Sequence, residues 1–185
     1  MGRFVLTETA IRGVLIIDPQ VFQDERGFFM ESYNARDFKE AGLDVAFVQD
    51  NHTKSAKGVL RGLHLQIRHP QGKLMRVLKG EVFDVAVDAR KDSPTFGKWT
   101  GTVLSEENRR QMYIAPGLAH GYLVLSEAAE LIYKCTDFYY PEDERGIIWN
   151  DPDIGIDWPA VEGNGYLLSK KDLGWGSFRE FIQRK

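Results

Sequence analysis

The most regular pattern along the chain is an alternation of apolar and polar residues between positions 81 and 88. Phe83, Val85 and Val87 recur at every second position, with Asp84 and Asp88 at intervening positions. A period of two places the apolar and the acidic side chains on opposite faces of a β-strand. The pattern therefore predicts a half-buried strand that exposes its aspartates.

Further short segments have the composition of strands. They are rich in apolar, β-branched or aromatic residues and are bounded mostly by Gly, Pro or charged residues. These segments are residues 59–66, 74–78, 111–115, 122–125 and 131–138. In the last of them, Leu131, Tyr133 and Cys135 share one face, which we expect to point inward. Many short strands joined by turns are typical of an all-β sandwich or barrel.

Helical signals are few. Residues 35–41 form one short candidate helix, and Ser177, followed three positions later by Glu180, is a capping box that begins another. We expect both helices to be peripheral. Two prolines and three glycines between positions 149 and 165 predict a long irregular segment that wraps around the barrel.

Length and composition fit one globular domain. The chain has 185 residues, of which 43% are hydrophobic. A net charge of -3 argues against nucleic acid as a partner, although a local pocket can still bind a small anion. The longest apolar runs have about four residues, far short of the roughly 20 that span a bilayer, so no membrane partner is predicted. Cys135 is the only cysteine, which excludes an internal disulfide and predicts a cytoplasmic location.

The first candidate for chemistry is the sequence RGLHLQ at residues 61–66. In a strand, the period of two places Gly62, His64 and Gln66 on one face. Arg61 has the opposite parity and reaches the same pocket only if the strand bends at Gly62 or lies near an edge. Taken alone, a histidine in a strand is more often a structural residue than a base.

The second candidate is the sequence PGLAHG at residues 116–121, which places His120 in a turn before the strand at 122–125. The two clusters resemble the two motifs of cupins. Cupins that bind a metal use an HxH pair in the first motif, and here the second position of that pair is Gln66. An amide is a poor replacement for a histidine ligand, so we expect no metal.

Motifs along most of the chain resemble those of the dTDP-4-dehydrorhamnose 3,5-epimerase family. The matching segments are residues 22–29, 47–52, 61–66, 71–74, 80–90, 93–97, 116–121 and 168–172. Each motif is short, but their content and order over this length are specific. The resemblance implies an all-β cupin jelly-roll barrel with a few short peripheral helices, formed by residues 1–185 as a single domain.

The resemblance also implies a reaction. The family converts dTDP-4-dehydro-6-deoxy-D-glucose to dTDP-4-dehydro-L-rhamnose, and the hydrogens on C3 and C5 are acidic because both carbons adjoin the 4-keto group. By this resemblance His64 is the base, Asp172 orients its imidazole, Lys73 stabilises the enolate and Tyr133 returns a proton on the opposite face. Such an isomerase needs no cofactor.

The same resemblance implies a set of contacts with the nucleotide sugar. The predicted substrate-binding residues are Arg26, Glu31, Gln49, Asn51, Arg61, His120, Tyr139, Glu144 and Lys171. Tyr139 is expected to stack on thymine, and His120 to lie near the hexose. The family forms homodimers that share N-terminal strands, so we expect a homodimer. The sequence leaves open whether Arg26 and Glu31 act in their own pocket or in the partner's.

Three other functions stay open on the sequence. Some members of the same family invert only C3 or only C5 and would keep these motifs. A nucleotide-sugar-binding cupin without activity is less consistent with the intact set of His64, Lys73 and Tyr133, because binding alone needs neither acid nor base. A metal-dependent cupin oxygenase fits least, because Gln66 replaces a ligand.

Overall fold

The chain is mostly β-strand. A computed structural model describes residues 3–163 and 165–184; Met1, Gly2, Asn164 and Lys185, which belong to the predicted domain, lie outside the described residues. The strands are β1 (Phe4–Glu8), β2 (Val14–Pro19), β3 (Val21–Asp24), β4 (Gly27–Met30), β5 (Gln49–Ala56), β6 (Leu60–Gln66), β7 (Lys73–Lys79), β8 (Glu81–Asp88), β9 (Trp99–Ser105), β10 (Gln111–Ile114), β11 (Leu118–Val124), β12 (Ala128–Cys135) and β13 (Glu144–Gly146). The helices are α1 (Ala35–Glu40), α2 (Lys170–Leu173) and α3 (Phe178–Arg184), with one 3-10 turn at Pro141–Asp143.

The strands form two antiparallel sheets and a separate hairpin. The six-stranded sheet has the order β1-β2-β10-β7-β12-β5, and the five-stranded sheet has the order β13-β6-β11-β8-β9. Strands β3 and β4 pair only with each other. This is the jelly-roll arrangement of a cupin, so the predicted all-β fold class is confirmed.

The main core lies between the two sheets. Met75, Met112 and Leu131 of the six-stranded sheet pack against Val82 and Leu104 of the five-stranded sheet. All five residues are fully buried. Burial of such side chains stabilises the fold by about 1.5–3 kcal/mol each. The core fixes the separation of the sheets and thereby the width of any cavity between them.

Two outer clusters cover the other faces of the sheets. Ile154 and Trp158 of the long irregular segment and Phe178 and Phe181 of α3 pack on the outer face of the five-stranded sheet. Phe38 of α1 covers the outer face of the six-stranded sheet with its neighbours. The predicted wrapping segment and the peripheral position of the predicted helices are therefore confirmed.

Strand β8 is buried on both faces, so the prediction of a half-buried strand is wrong. Asp84 and Asp88 are both 0% exposed. Asp88 accepts hydrogen bonds from Arg90, Ser93 and Thr95, which hold its pKa well below the usual range although burial opposes this. Polar side chains inside the fold satisfy the Asp88 carboxylate, whereas Asp84 is bonded at Oδ1 only and its Oδ2 is buried without a hydrogen-bond partner among the described residues.

Strand β11 begins earlier than predicted. It runs over Leu118–Val124 rather than 122–125, so His120 lies within a strand and not in a turn. Only the start of the PGLAHG motif forms a turn, with Gly117 at a φ of 85°. The backbone of His120 is directly paired with that of His64 on β6 and of Ala86 on β8.

Candidate active site

A cavity of about 300 Å³ opens between the two sheets. It is lined by Gln49, Asn51, His64, Leu65, Gln66, Gln71, Lys73, Tyr133, Tyr139 and Glu144. His64 projects from β6 in the five-stranded sheet, whereas Lys73 and Tyr133 come from the adjacent strands β7 and β12 of the six-stranded sheet. The structure thus brings three of the predicted catalytic residues to one cavity from opposite walls.

A bulge in β6 determines which side chains reach this cavity. His64 pairs with His120, but Arg61 pairs with Tyr122. Strand β6 therefore contains one residue more than β11 over this stretch. Gly62 occupies the bulge with a φ of 136°, and a Cβ there would lie 2.6 Å from Gly121 Cα. The bulge moves Arg61 to the side of His64. The prediction that Gly62 shares the face of His64 in a regular strand is therefore wrong, and the alternative of a bend at Gly62 is correct.

His64 and Asp172 form a dyad. His64 Nε2 lies 2.5 Å from Asp172 Oδ1, and Ser169 Oγ donates to Asp172 Oδ2 over 2.6 Å. Ser169 is also the N-cap of α2 and accepts from the Asp172 backbone N–H, which fixes the carboxylate on this four-residue helix. Burial opposes ionisation of Asp172, but the hydrogen bonds from His64 and Ser169 prevail and lower its pKa. With Nε2 engaged, Nδ1 is the nitrogen left for substrate.

Lys73 supplies the positive charge of the cavity. Among the described residues, its ammonium group forms no hydrogen bond and no ion pair. Its N–H donors are therefore available to a ligand in the cavity. Burial lowers the pKa of Lys73, while the charges of Cys135, Glu144 and Asp84 oppose that shift. A desolvated ammonium group interacts strongly with a negative charge that forms beside it.

Tyr133 faces the cavity from β12. Burial raises its pKa to about 12, and Cys135, Tyr122 and Glu144 add to the rise while the Arg61 charge opposes it. The phenol is therefore protonated throughout the neutral range. Leu131 and Cys135 are buried on the same side of β12, as predicted from their shared parity. The arrangement offers a proton donor opposite His64.

Polar side chains form a continuous network at the cavity mouth. Gln49 donates to Asn51 over 3.1 Å and accepts from the Tyr139 backbone N–H over 2.9 Å. The Tyr139 hydroxyl donates to Glu144 over 2.6 Å, and Lys171 also donates to Glu144. Burial would raise the pKa of Glu144, but these two donors lower it. The mouth thus combines exposed donors with an aromatic ring.

His120 lies behind the cavity and forms a second pair with Asp84. His120 Nε2 is 2.9 Å from Asp84 Oδ1, and both side chains are buried. Burial lowers the pKa of His120, the charges of Lys73 and His64 act in the same direction, and Asp84 opposes them. Sequence reasoning missed Asp84, because the alternation in β8 indicated an exposed residue. The pairing of β8 with β11, which brings Asp84 to His120, leaves no signal in the sequence.

Arg26 and Glu31 lie outside this cavity. Arg26 is at the tip of the β3–β4 hairpin, where its exposed guanidinium pairs with Asp24. Glu31 pairs with Arg3 and accepts from Asn34. Neither residue is among those that line the cavity of its own chain.

Gln66 stands where metal cupins carry a second histidine. Its side-chain amide is satisfied by hydrogen bonds to the backbone of neighbouring loops. Its amide donates to the carbonyls of His69 and Phe138 over 2.7 and 3.1 Å, and its carbonyl accepts from the Tyr140 N–H. Across residues 3–163 and 165–184, no group of three or more His, Cys, Asp or Glu side chains has the arrangement to hold a metal ion. In the same part of the chain, every helix is too short or too polar to cross a bilayer.

Comparisons with known proteins identify the family of the chain. A family model described as dTDP-4-dehydrorhamnose 3,5-epimerase matches residues 8–180. A dTDP-4-dehydrorhamnose 3,5-epimerase of Pseudomonas aeruginosa is 62% identical over 175 residues, covering 94% of this chain and 96% of the relative.

Solved structures have the same fold. A dTDP-6-deoxy-D-glucose-3,5-epimerase of Legionella pneumophila, crystallised with dTDP-4-keto-L-rhamnose, is 51% identical with a TM-score of 0.91, over 95% of this chain and 93% of that one. A 3'-monoepimerase of Streptomyces bikiniensis, crystallised with dTDP-quinovose, is 32% identical with a TM-score of 0.88, over 95% and 89% of the two chains. The chain belongs to the dTDP-4-dehydrorhamnose 3,5-epimerase family.

Proposed function

We propose that this isomerase converts dTDP-4-dehydro-6-deoxy-D-glucose to dTDP-4-dehydro-L-rhamnose by inverting C3 and C5, with no cofactor. The observation that carries the proposal is the placement of the His64–Asp172 dyad and Tyr133 on facing walls of one cavity, with Lys73 beside Tyr133. Inversion at carbon needs a base on one ring face and an acid on the other. The metal-dependent oxygenase has no such requirement.

The first step is proton abstraction by His64. Its Nδ1 takes the proton from C3 or C5, the C–H electron pair forms a double bond from that carbon to C4, and the π pair of the 4-keto group moves onto O4. The Lys73 ammonium stabilises the resulting enolate oxygen. Asp172 stabilises the imidazolium through Nε2, and Glu144 Oε1, 3.8 Å from Nδ1, adds a second negative charge nearby. One base serves both carbons in turn, because both adjoin the same carbonyl.

The second step is proton return by Tyr133. The enolate carbon takes the phenolic proton on the ring face opposite His64 as the C4–O4 carbonyl reforms, and the configuration of that carbon is inverted. Solvent then reprotonates the phenolate and removes the proton from His64. The raised pKa of Tyr133, about 12, keeps the acid in its donating form between turnovers.

The mouth of the cavity suits the nucleotide. Lys171 and Arg61 are exposed cations that can contact a diphosphate, and Tyr139 presents an exposed ring on which thymine can stack. Gln49 and Asn51, which line the cavity, offer amide groups that can bind the part of the substrate between the thymine and the hexose. His120, held neutral by burial, supports the inner wall near the hexose.

We also propose that the protein acts as a homodimer in which the β3–β4 hairpin completes the partner's site. The hairpin is paired with neither main sheet, and its Phe22, Phe28 and Phe29 are 50%, 52% and 65% exposed. Such a patch is typical of a protein contact. Arg26 at its tip does not line the cavity of its own chain, so we assign it to the cavity of a second copy.

Mixing inactive subunits tests this arrangement. Homodimers of Arg26→Ala and of His64→Ala should each lose most activity. If Arg26 acts across the interface, statistical mixing restores about one quarter of the sites, because each mixed dimer contains one intact site. No recovery in verified mixed dimers would contradict the proposal.

A cytoplasmic location is the remaining part of this proposal. Cys135 is the only cysteine, and its thiol is buried and free. A free thiol fits a reducing compartment. Recovery of the native enzyme in an extracellular or periplasmic fraction would contradict it.

The 3'-monoepimerase activity is the second candidate, because a protein with that activity has the same fold at 32% identity. The higher identity to double epimerases, 62% and 51%, favours inversion at both carbons. Proton NMR of the substrate with the enzyme in D2O separates them. Deuterium at C3 and C5 with L-configured product supports the double epimerase, deuterium at C3 alone supports the monoepimerase, and ligand binding without exchange indicates a non-catalytic cupin.

A further inference from the structure

The indole of Trp175 is packed against a glycine next to the dyad. A Cβ built on Gly146 would lie 2.3 Å from two indole carbons and 2.5 Å from the indole nitrogen, Nε1. Real Cβ atoms do not approach so closely. Gly146 is not among the glycines with positive φ, so its backbone conformation does not demand glycine. The ring contact is therefore what requires a hydrogen at this position.

This contact links the two sides of the dyad. Gly146 on β13 is the cross-strand partner of His64, and the Trp175 ring lies edge-on to the imidazole with centroids 6.0 Å apart. Only Gly174 separates Trp175 from the end of α2, the helix that carries Asp172. The indole thus contacts the strand pair that holds the base and is joined covalently to the helix that holds the carboxylate.

Contacts on either side of Trp175 in the chain restrict movement of the indole. The Gly176 carbonyl accepts from the Ile148 N–H over 2.9 Å, which anchors the segment just after the indole beside the extension of β13. The Lys171 ammonium lies over the ring, 5.9 Å from its centroid. Behind the indole is a second cavity of about 170 Å³. Without the ring, α2 could shift toward that space and away from His64.

We propose that Trp175 is a positioning residue, which, seated on Gly146, holds α2 so that Asp172 stays in hydrogen-bond contact with His64. The inference rests on the proposed role of His64 as the base. It extends that role to two residues that do not touch the substrate cavity.

The test compares three variants by C3 and C5 deuterium exchange, with kcat and KM measured separately. Gly146→Ala displaces the indole, and Trp175→Leu removes it without a clash. Gly101→Ala is the matched control. Gly101 lies on β9, at the other edge of the same sheet, and a Cβ there would lie 2.7 Å from the Phe83 ring. All three should lose some thermal stability.

We expect kcat to fall roughly 10- to 100-fold in Gly146→Ala and Trp175→Leu, with KM within about threefold of the parent, because misplacement by about 1 Å costs up to about 100-fold. Gly101→Ala should keep kcat. The double variant Gly146→Ala/Trp175→Ala, which relieves the clash, should regain stability but not kcat. Recovery of kcat in that double variant would overturn the proposal, as would an equal loss in Gly101→Ala.

Two results separate this proposal from the assignment of the base. If Gly146→Ala does not fold, Trp175→Leu decides, and a kcat within twofold of the parent refutes positioning. His64→Ala is measured alongside. Full exchange in His64→Ala would refute the role of the base itself, whereas lost exchange there with normal exchange in Trp175→Leu would refute only the role of Trp175.

Discussion

Replacement of Asp172 by asparagine is the sharpest perturbation of the dyad. Asp172 accepts at both oxygens, from His64 Nε2 over 2.5 Å and from Ser169 Oγ over 2.6 Å. Asparagine has the same shape but offers one oxygen and one NH2 group. If the NH2 group faces His64, Nε2 must become the acceptor and Nδ1 carries the proton. The base nitrogen then faces the substrate already protonated.

The opposite amide orientation is also costly. The NH2 group would then face Ser169 Oγ, which already accepts from the residue 172 backbone N–H, and the serine hydroxyl would lose its acceptor. In either orientation the imidazolium loses its negative partner. A wrong tautomer together with this loss is expected to lower exchange by roughly 1000-fold, which corresponds to about 4 kcal/mol of barrier.

The assay is deuterium incorporation at C3 and C5 in D2O, followed by proton NMR at saturating substrate. Asp151→Asn is the control, because Asp151 is 2% exposed and accepts from the backbone N–H groups of Ile154 and Phe178, away from the cavity. The control should lose stability but keep exchange. Exchange in Asp172→Asn at more than a third of the parent rate would refute the reasoning.

Three further changes have defined outcomes. His64→Ala should lower exchange at both carbons by roughly 100-fold or more, measured in the same NMR assay. Tyr133→Phe should keep exchange with solvent but yield little inverted product, and loss of exchange as well would indicate that Tyr133 positions the substrate instead. Asp143→Asn should lower the free energy of unfolding by about 1–2 kcal/mol at pH 7, because hydrogen bonds from the Arg68 and His69 backbones outweigh burial and lower the Asp143 pKa to about 2. That stabilisation is complete above about pH 4 and is lost as the pH falls toward 2, so urea unfolding at pH 7 and pH 3 should show a smaller difference at the lower pH.

Sequence periodicity predicted the strands well but misjudged where their polar residues lie. The alternation in β8 correctly indicated a strand, yet Asp84 and Asp88 are buried, and β8 pairs with β11, which lies well downstream in the sequence. Alternation reports the polarity of a face and not whether water reaches it. A buried carboxylate needs partners: Asp84 contacts His120 across a strand pair, which depends on tertiary packing, whereas Asp88 contacts Arg90 two positions later in the chain.

The site itself depended on two local features that a period of two cannot describe. The extra residue at Gly62 reverses the parity of β6, so Arg61 lies on the side of His64. Asp172 lies on a four-residue helix, too short to leave a periodic pattern. The family resemblance placed Asp172 among the site residues, and the structure shows the Ser169 cap that orients it.

The surroundings of the two histidines differ in a way that strand periodicity does not show. His64 and His120 lie on paired strands, and each directs Nε2 at an aspartate, so their immediate partners do not distinguish them. Their surroundings do. The His120 side chain is only 8% exposed and burial lowers its pKa, which makes it a weaker base, whereas the His64 side chain is 22% exposed and lines the cavity. Because a base must release its proton after each turnover, access to solvent favours His64 over His120 for the proposed role of base.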